Sequence, residues 1–161
     1  MGTADCSNRT KREDATIRRA LRIIERRLKE PGATMNSPAT VREYLALWLG
    51  TLEHEVFAAL FLDTQMRVIA AEELSRGTLG QTAIYPREVV KRALAHNAGG
   101  VIFAHNHPSG EPTPSDADRK LTAQLKTALA LVDVETFDHF VIAGSRYSSF
   151  LELGFLAVAA C

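Results

Sequence analysis

Apolar positions recur along this chain in two rhythms, and the switch between them outlines its organisation. Ile17, Ala20, Leu21, Ile24 and Leu28 lie at the spacing of one helix face, which predicts a helix from about Ala15 to Lys29. Pro31-Gly32 ends it, and the polar residues 1–10 ahead of it are expected to be loose. Ser37-Pro38, a capping residue followed by proline at the first helical position, opens a second helix through about Leu49, and Gly50 stops it. The pattern then changes. Val56 to Leu62 and Arg67 to Ala71 are apolar runs around Asp63-Thr64-Gln65, the pattern of a β-hairpin. Tyr85-Pro86 opens a helix with Val89, Val90, Ala93 and Leu94 inward, ending near His96-Asn97 ahead of Gly99-Gly100. Val101 to Ala104 reads as a buried strand, followed by a loop from Pro108 to Pro114. Ser115 to Leu131 is a helix with Leu121, Leu125, Ala128 and Leu129 inward. Phe137 to Ile142 is a strand, Arg146-Tyr147 to Phe150 its hairpin partner, and a short C-terminal helix follows. Strands alternating with helices predict an α/β (α+β) domain with a central sheet.

The chemistry concentrates where the Val101–Ala104 strand meets its loop. Residues two apart on a strand point the same way, so His105 and His107 share a face. Two imidazoles on one face can hold one cation, and Asp118 can return as a third ligand. Three N/O ligands with a fourth position left to water are what a catalytic zinc site needs. Ser115 and Asp118 have a second reading, since Ser at a helix cap with an acid three residues on resembles a capping box. One carboxylate can serve both tasks. His105-Asn106-His107 is not the nuclease motif of that nickname, whose residues are spread over a ββα unit. His54-Glu55 does not start a His-Glu-x-x-His zinc helix, because position 58 is alanine.

Composition narrows the classes. There are 19 basic and 19 acidic residues, so the total charge gives no support to general DNA binding. The charge is uneven: residues 1–35 hold nine Lys/Arg and five Asp/Glu, giving +4 there and −4 in the remainder. A solvated helix face accounts for this, with a nucleic-acid or partner patch as the competing reading. Cys6 and Cys161, one near each end, form neither a metal-site nor a redox spacing and imply no disulfide framework. With no apolar leader and no run long enough to span a membrane, a cytoplasmic location is expected.

His105-x-His107-Pro108, six residues, Ser115, two residues and Asp118 matches the signature of the JAMM (JAB/MPN) zinc metalloproteases. Val56-Phe57, Leu60-Phe61-Leu62-Asp63, Arg76-Gly77-Thr78, Tyr85-Pro86-Arg87-Glu88-Val89-Val90, His105-Asn106-His107-Pro108-Ser109-Gly110, Leu131-Val132-Asp133 and Asp138-His139 resemble the bacterial RadC family. The match covers roughly residues 37–155, which divides the chain into a tail and basic helix over 1–35 and a RadC-like domain over 36–161. The resemblance implies a mixed sheet flanked by helices in the cytidine-deaminase-like JAB/MPN manner. It implies Zn²⁺ held by His105, His107 and Asp118, with Glu55 as the general base and Ser115 as hydrogen-bond donor to the oxyanion. Glu53 competes with Glu55, since alternation puts both on one strand face. Ala58 stands where the wider superfamily often has glycine. Asn106, Ser109 and Thr113 are candidates to support the ligands, and Asp138 and His139 read as a buried hydrogen-bonded pair. Longer RadC proteins carry a helix-hairpin-helix segment ahead of this domain, and the single basic helix here resembles the short form of plasmids and prophages.

The function expected is hydrolysis of peptide or isopeptide amide bonds in a peptide or protein substrate, in a family linked with DNA repair. The alternative is a non-catalytic zinc-containing module that binds DNA-repair, replication or mobile-element proteins. Closed structural zinc sites fill four places with Cys and His, and this one offers three N/O ligands and no cysteine. A metal-dependent nuclease is a further alternative, disfavoured by the neutral charge and the few carboxylates. Neither nucleic-acid binding by the basic helix nor a homodimer through its apolar stripe is decided by the sequence.

Overall fold

Two strands without a polar face dictate the architecture. All seven residues of β1 (Val56–Leu62) are buried, as are all seven of β3 (Gly100–Asn106). Strands of this kind must be covered on both sides. The computed structural model describes residues 3–29, 38–77 and 84–156. Among them, β1 and β3 are joined by β2 (Val68–Arg76), β4 (Glu135–Ala143) and β5 (Arg146–Ser149) in the order β2-β1-β3-β4-β5. The β3–β4 pair is parallel and the other pairs are antiparallel. The helices are α1 (Thr3–Lys29), α2 (Pro38–Leu49), α3 (Pro86–Ala95) and α4 (Asp116–Ala130). The fold is therefore α+β, a mixed central sheet flanked by helices.

Alternation along the strands divides the core in two. Val56, Ala58, Leu60 and Leu62 pack with Ile102, Ala104, Phe140 and Ile142 against Val41, Leu45 and Leu49 of α2. Phe57, Ala59 and Phe61 pack with Val101 and Phe103 against Val89 and Ala93 of α3 and Leu125 and Leu129 of α4. Ala58 thus lies in the α2 core, on the face away from His105, and does not narrow a pocket there. The parallel pair needs a crossover, and α4 supplies it. No helix among the described residues is long and apolar enough to cross a membrane.

Several boundaries differ from those the sequence predicts. Residues from Thr3 onward already belong to α1, an extension that the weak helix formers Asp5, Cys6, Ser7, Asn8 and Thr10 do not announce. The β2 strand runs on to Arg76, carrying Glu72 and Glu73, whose charges are met by Arg92 and Arg76 at 3.0 and 2.7 Å. Residues 150–156, ahead of the expected C-terminal helix, form turns and bends with Gly154 at φ +75°, and residues 157–161 lie outside the described residues. The Pro31-Gly32 stop and the Ser37 cap lie outside the described residues.

Asn106 fixes the entry to β1. Its Oδ1 accepts from the Val56 N–H at 2.8 Å, and its Nδ2 donates to the carbonyls of His54 and Leu52 at 3.0 and 3.3 Å. The side chain is buried, so its loss leaves backbone groups of the α2–β1 loop without partners. Asn106→Ala is expected to lower unfolding free energy by about 2–3 kcal/mol in urea denaturation.

Candidate metal centre

Three side chains from three kinds of local structure meet at one end of the sheet. His105 is the sixth residue of β3 and lies opposite Phe57 of β1 and Val141 of β4. It is fully buried. His107 lies just past the strand, yet its N–H still donates to the Ile142 carbonyl at 2.8 Å, so the ladder holds its backbone. The loop then turns back, with the Gly110 N–H donating to the His107 carbonyl at 3.0 Å. That turn brings the Glu111 carbonyl to 2.8 Å from His107 Nδ1. A carbonyl only accepts, so Nδ1 carries a proton, and in the neutral ring Nε2 of His107 is a bare lone pair.

Asp118 comes from the first turn of α4. Ser115 is the N-cap, and its Oγ accepts from the Asp118 N–H at 3.1 Å. Asp118 Oδ2 in turn accepts from the Ser115 N–H at 2.7 Å and from its hydroxyl at 2.6 Å. The capping box is therefore real, and it does not compete with the metal reading: it aims the carboxylate. His105 Nε2 and His107 Nε2 are 3.0 Å apart, and Asp118 oxygens lie 3.5 Å from the first and 3.7 Å from the second. Tetrahedral ligand bonds of about 2.0–2.2 Å separate their donors by about 3.3–3.6 Å. His105 meets one carboxylate oxygen and His107 the other at gaps close to that interval, and one ligand atom from each of the three residues lies within 4.8 Å of the others. Burial pushes the Asp118 carboxyl up, but the His105 imidazole beside it, with the Ser115 hydrogen bonds, outweighs it and holds the group well below the usual carboxylate range. The donor set is thus a carboxylate and two imidazole Nε2 atoms, that of His107 with its lone pair free, and it can hold a metal ion.

Behind His105 stands His139 of β4, whose Nε2 is 2.8 Å from His105 Nδ1. Its Nδ1 lies 2.6 Å from the hydroxyl of Thr122, one helical turn after Asp118. Burial first, then the neighbouring His105 ring, holds the His139 ring well below its ordinary pKa. Asp138 and His139 are both buried but are not side-chain partners. Asp138 accepts from the backbone N–H of His139 and of Leu151, and from the Ser149 hydroxyl, at 2.7, 3.0 and 2.6 Å. Burial raises its carboxyl above the ordinary value. Neighbours on a strand point to opposite faces, which is why the pair divides. The expected supports of the ligands are likewise redistributed. Asn106 serves the α2–β1 loop, Thr113 donates its hydroxyl to the Glu111 carboxylate at 2.6 Å, and the Ser109 hydroxyl accepts from the Glu111 N–H at 3.4 Å. Thr122 and the Glu111 carbonyl, unnoticed in the sequence, do the supporting.

Glu55 immediately precedes β1, two residues before Phe57, the register partner of His105. It is half-buried, and its carbonyl accepts from the Gly77 N–H at 2.9 Å. Glu53 is exposed in the preceding turn. It lines an open cleft of about 560 Å³ together with Asn106, His107, Pro108, Gly144 and Arg146. The cleft opens beside His107.

Removing the cap should be felt in stability as well as at the site. Ser115→Ala is expected to cost about 1 kcal/mol in urea denaturation, whereas Thr113→Ala in the exposed loop should stay within about 0.5 kcal/mol of wild type.

Residues 35–155 match the family model of the RadC-like JAB domain. The chain is 55% identical over 145 residues to a UPF0758 protein of Thiobacillus denitrificans, covering 88% of this chain and 65% of that one. It is 57% identical over 142 residues to a UPF0758 protein of a Polaromonas species, covering 88% and 63%. A UPF0758 protein of Cupriavidus pinatubonensis is 56% identical over 140 residues, covering 87% and 61%. The chain thus spans 61–65% of the length of these curated relatives. With the match running from α2 through the turns after β5, the chain belongs to the RadC-like JAB domain family.

Proposed function

We propose that this chain is a zinc-dependent hydrolase of peptide or isopeptide amide bonds, with His105, His107 and Asp118 as the metal ligands. The observation that carries the reading is the convergence of those three donors beside an open cleft. Three protein donors of N and O type leave a place for water or substrate, as catalytic rather than closed structural sites do. When bound, Zn²⁺ supplies Lewis acidity to a carbonyl oxygen and brings the pKa of water toward about 7.

The remaining steps belong to the protein's own groups. Glu55, at the entry to β1, takes the proton of the attacking water and returns it to the leaving amine. Ser115 Oγ has one proton, now given to Asp118 Oδ2. Exchanging that bond for one to the substrate lets the hydroxyl stabilise the oxyanion as it forms. The Asp118 carboxylate keeps the Ser115 N–H as a partner throughout the exchange. The cleft lined by Glu53, His107 and Arg146 is the place this reading gives to the polypeptide. The substrate class is a peptide or a protein, and proteins of DNA repair and replication are the partners this reading looks to.

Metal analysis by mass spectrometry and a peptide-library cleavage screen test it together. Wild type is expected to carry about one zinc per chain and to cleave. His107→Ala should lose both, and Glu55→Gln should keep the metal while its cleavage falls by about 100-fold or more. Absence of zinc after reconstitution would sink the metal reading. A fully loaded wild type that cleaves no peptide, isopeptide or protein substrate would point to a binding module.

A further inference from the structure

The hydrogen bonds behind the site run in one direction, and the direction decides which nitrogen of His105 is bare. Thr122 Oγ is 2.7 Å from the carbonyl oxygen of Asp118 and 2.6 Å from His139 Nδ1. The carbonyl cannot donate, so the single hydroxyl proton goes to it. Thr122 Oγ then has only lone pairs to offer His139, and His139 Nδ1 must be the N–H donor. In a neutral ring that leaves His139 Nε2 as an acceptor, 2.8 Å from His105 Nδ1. His105 Nδ1 is therefore the donor, and its Nε2 is bare. The order is Asp118 carbonyl, Thr122, His139, His105, and it returns to the point that the Asp118 carboxylate faces. A reversed order, with Thr122 donating to His139, would place a proton on His105 Nε2 and direct it at His107 Nε2, 3.0 Å away. That state is closed to a metal, and it strands the Thr122 and Asp118 oxygens 2.7 Å apart with no proton between them, whereas the forward order faces the two Nε2 lone pairs across 3.0 Å, a gap that a cation would fill.

We propose that Thr122 and His139 are positioning residues that set the tautomer of His105, keeping its Nε2 lone pair free for the metal. The surroundings of His139 suit the task. Phe150 stacks on its ring at 4.5 Å, Phe57 meets it edge-on at 5.3 Å, and Phe103 lies at 6.1 Å. The ring cannot turn without losing this packing, and Thr122 and His105 are its side-chain hydrogen-bond partners. In Thr122→Val the His139 Nδ1–H would be buried without an acceptor. The ring then favours the tautomer with a bare Nδ1 and a protonated Nε2, which transfers the wrong tautomer to His105.

The affinity half of this inference rests on the metal reading above, whereas the tautomer half stands in metal-free protein. Long-range ¹H–¹⁵N correlation spectra of the metal-free full chain, above the pH at which the rings are protonated, read the tautomers directly. Competition with a chromophoric chelator reads the zinc dissociation constant. Wild type and Thr122→Ser should show His105 and His139 protonated at Nδ1. Thr122→Val should move the His105 proton to Nε2 and weaken zinc binding by about 10- to 100-fold. Should that variant not fold, His139→Phe, which fits the aromatic surroundings and offers His105 no acceptor, should weaken zinc similarly. Wild-type His105 protonated at Nε2 overturns the proposal, as does a folded Thr122→Val with unchanged tautomers and affinity. The expected tautomers in a wild type that binds no zinc would overturn the metal reading and leave the Thr122–His139 relay standing.

Discussion

The parallel pairing of β3 with β4 is the constraint on which the rest depends. Its register sets Phe103 beside His139 and His105 beside Val141, so that His105 and His139 meet across the strand boundary on one face. A slip of one residue would turn His139 to the α2 face and bring Asp138 in its place. A neutral acceptor would then be replaced by a carboxylate behind a metal ligand. Parallel pairing also requires a crossover, and the crossover helix is the element that returns Asp118 and Thr122 to the same end of the sheet.

Adjacent residues on these strands have opposite tasks. His105 faces the site and Asn106 faces away, holding the α2–β1 loop. His139 supports His105, while Asp138 ties β4 to Ser149 and Leu151 beyond it. Buried polar groups are costly unless they are satisfied, and here each face has its own network. The consequence is a site with little freedom: its ligands are fixed from behind by groups that are themselves fixed.

The sequence disclosed the fold class and the three ligands because both rest on local signals. Continuous apolar runs mark β1 and β3, and the His-x-His-Pro spacing with Ser115 and Asp118 survives without knowledge of what lies nearby. It could not disclose what depends on register between distant strands. His139 is 34 residues from His105, and nothing in either neighbourhood announces the contact. Thr122 was passed over for a different reason. It occupies an inward position of α4, where a β-branched polar residue reads as a mild irregularity in a core stripe. The Glu111 carbonyl carries no side-chain signal at all. The first turns of α1 are not legible because propensity and apolar spacing weigh differently toward the end of a chain, where few tertiary contacts arbitrate.

Asp118, Thr122, Leu125 and Leu129 form a single inward line along α4, the first two at the site and the last two in the core. A helix turns by about 100° per residue, so inserting or deleting one residue within this stretch would rotate the site end away from the core end. The interval from Asp118 to Leu129 is therefore fixed in length by geometry, independent of which residues fill its outer face. The turn beyond Ala130 could absorb an inserted residue, whereas the stretch between Asp118 and Leu129 could not. For this helix the count between site and core is a requirement of its own, beside the identities of Asp118 and Thr122.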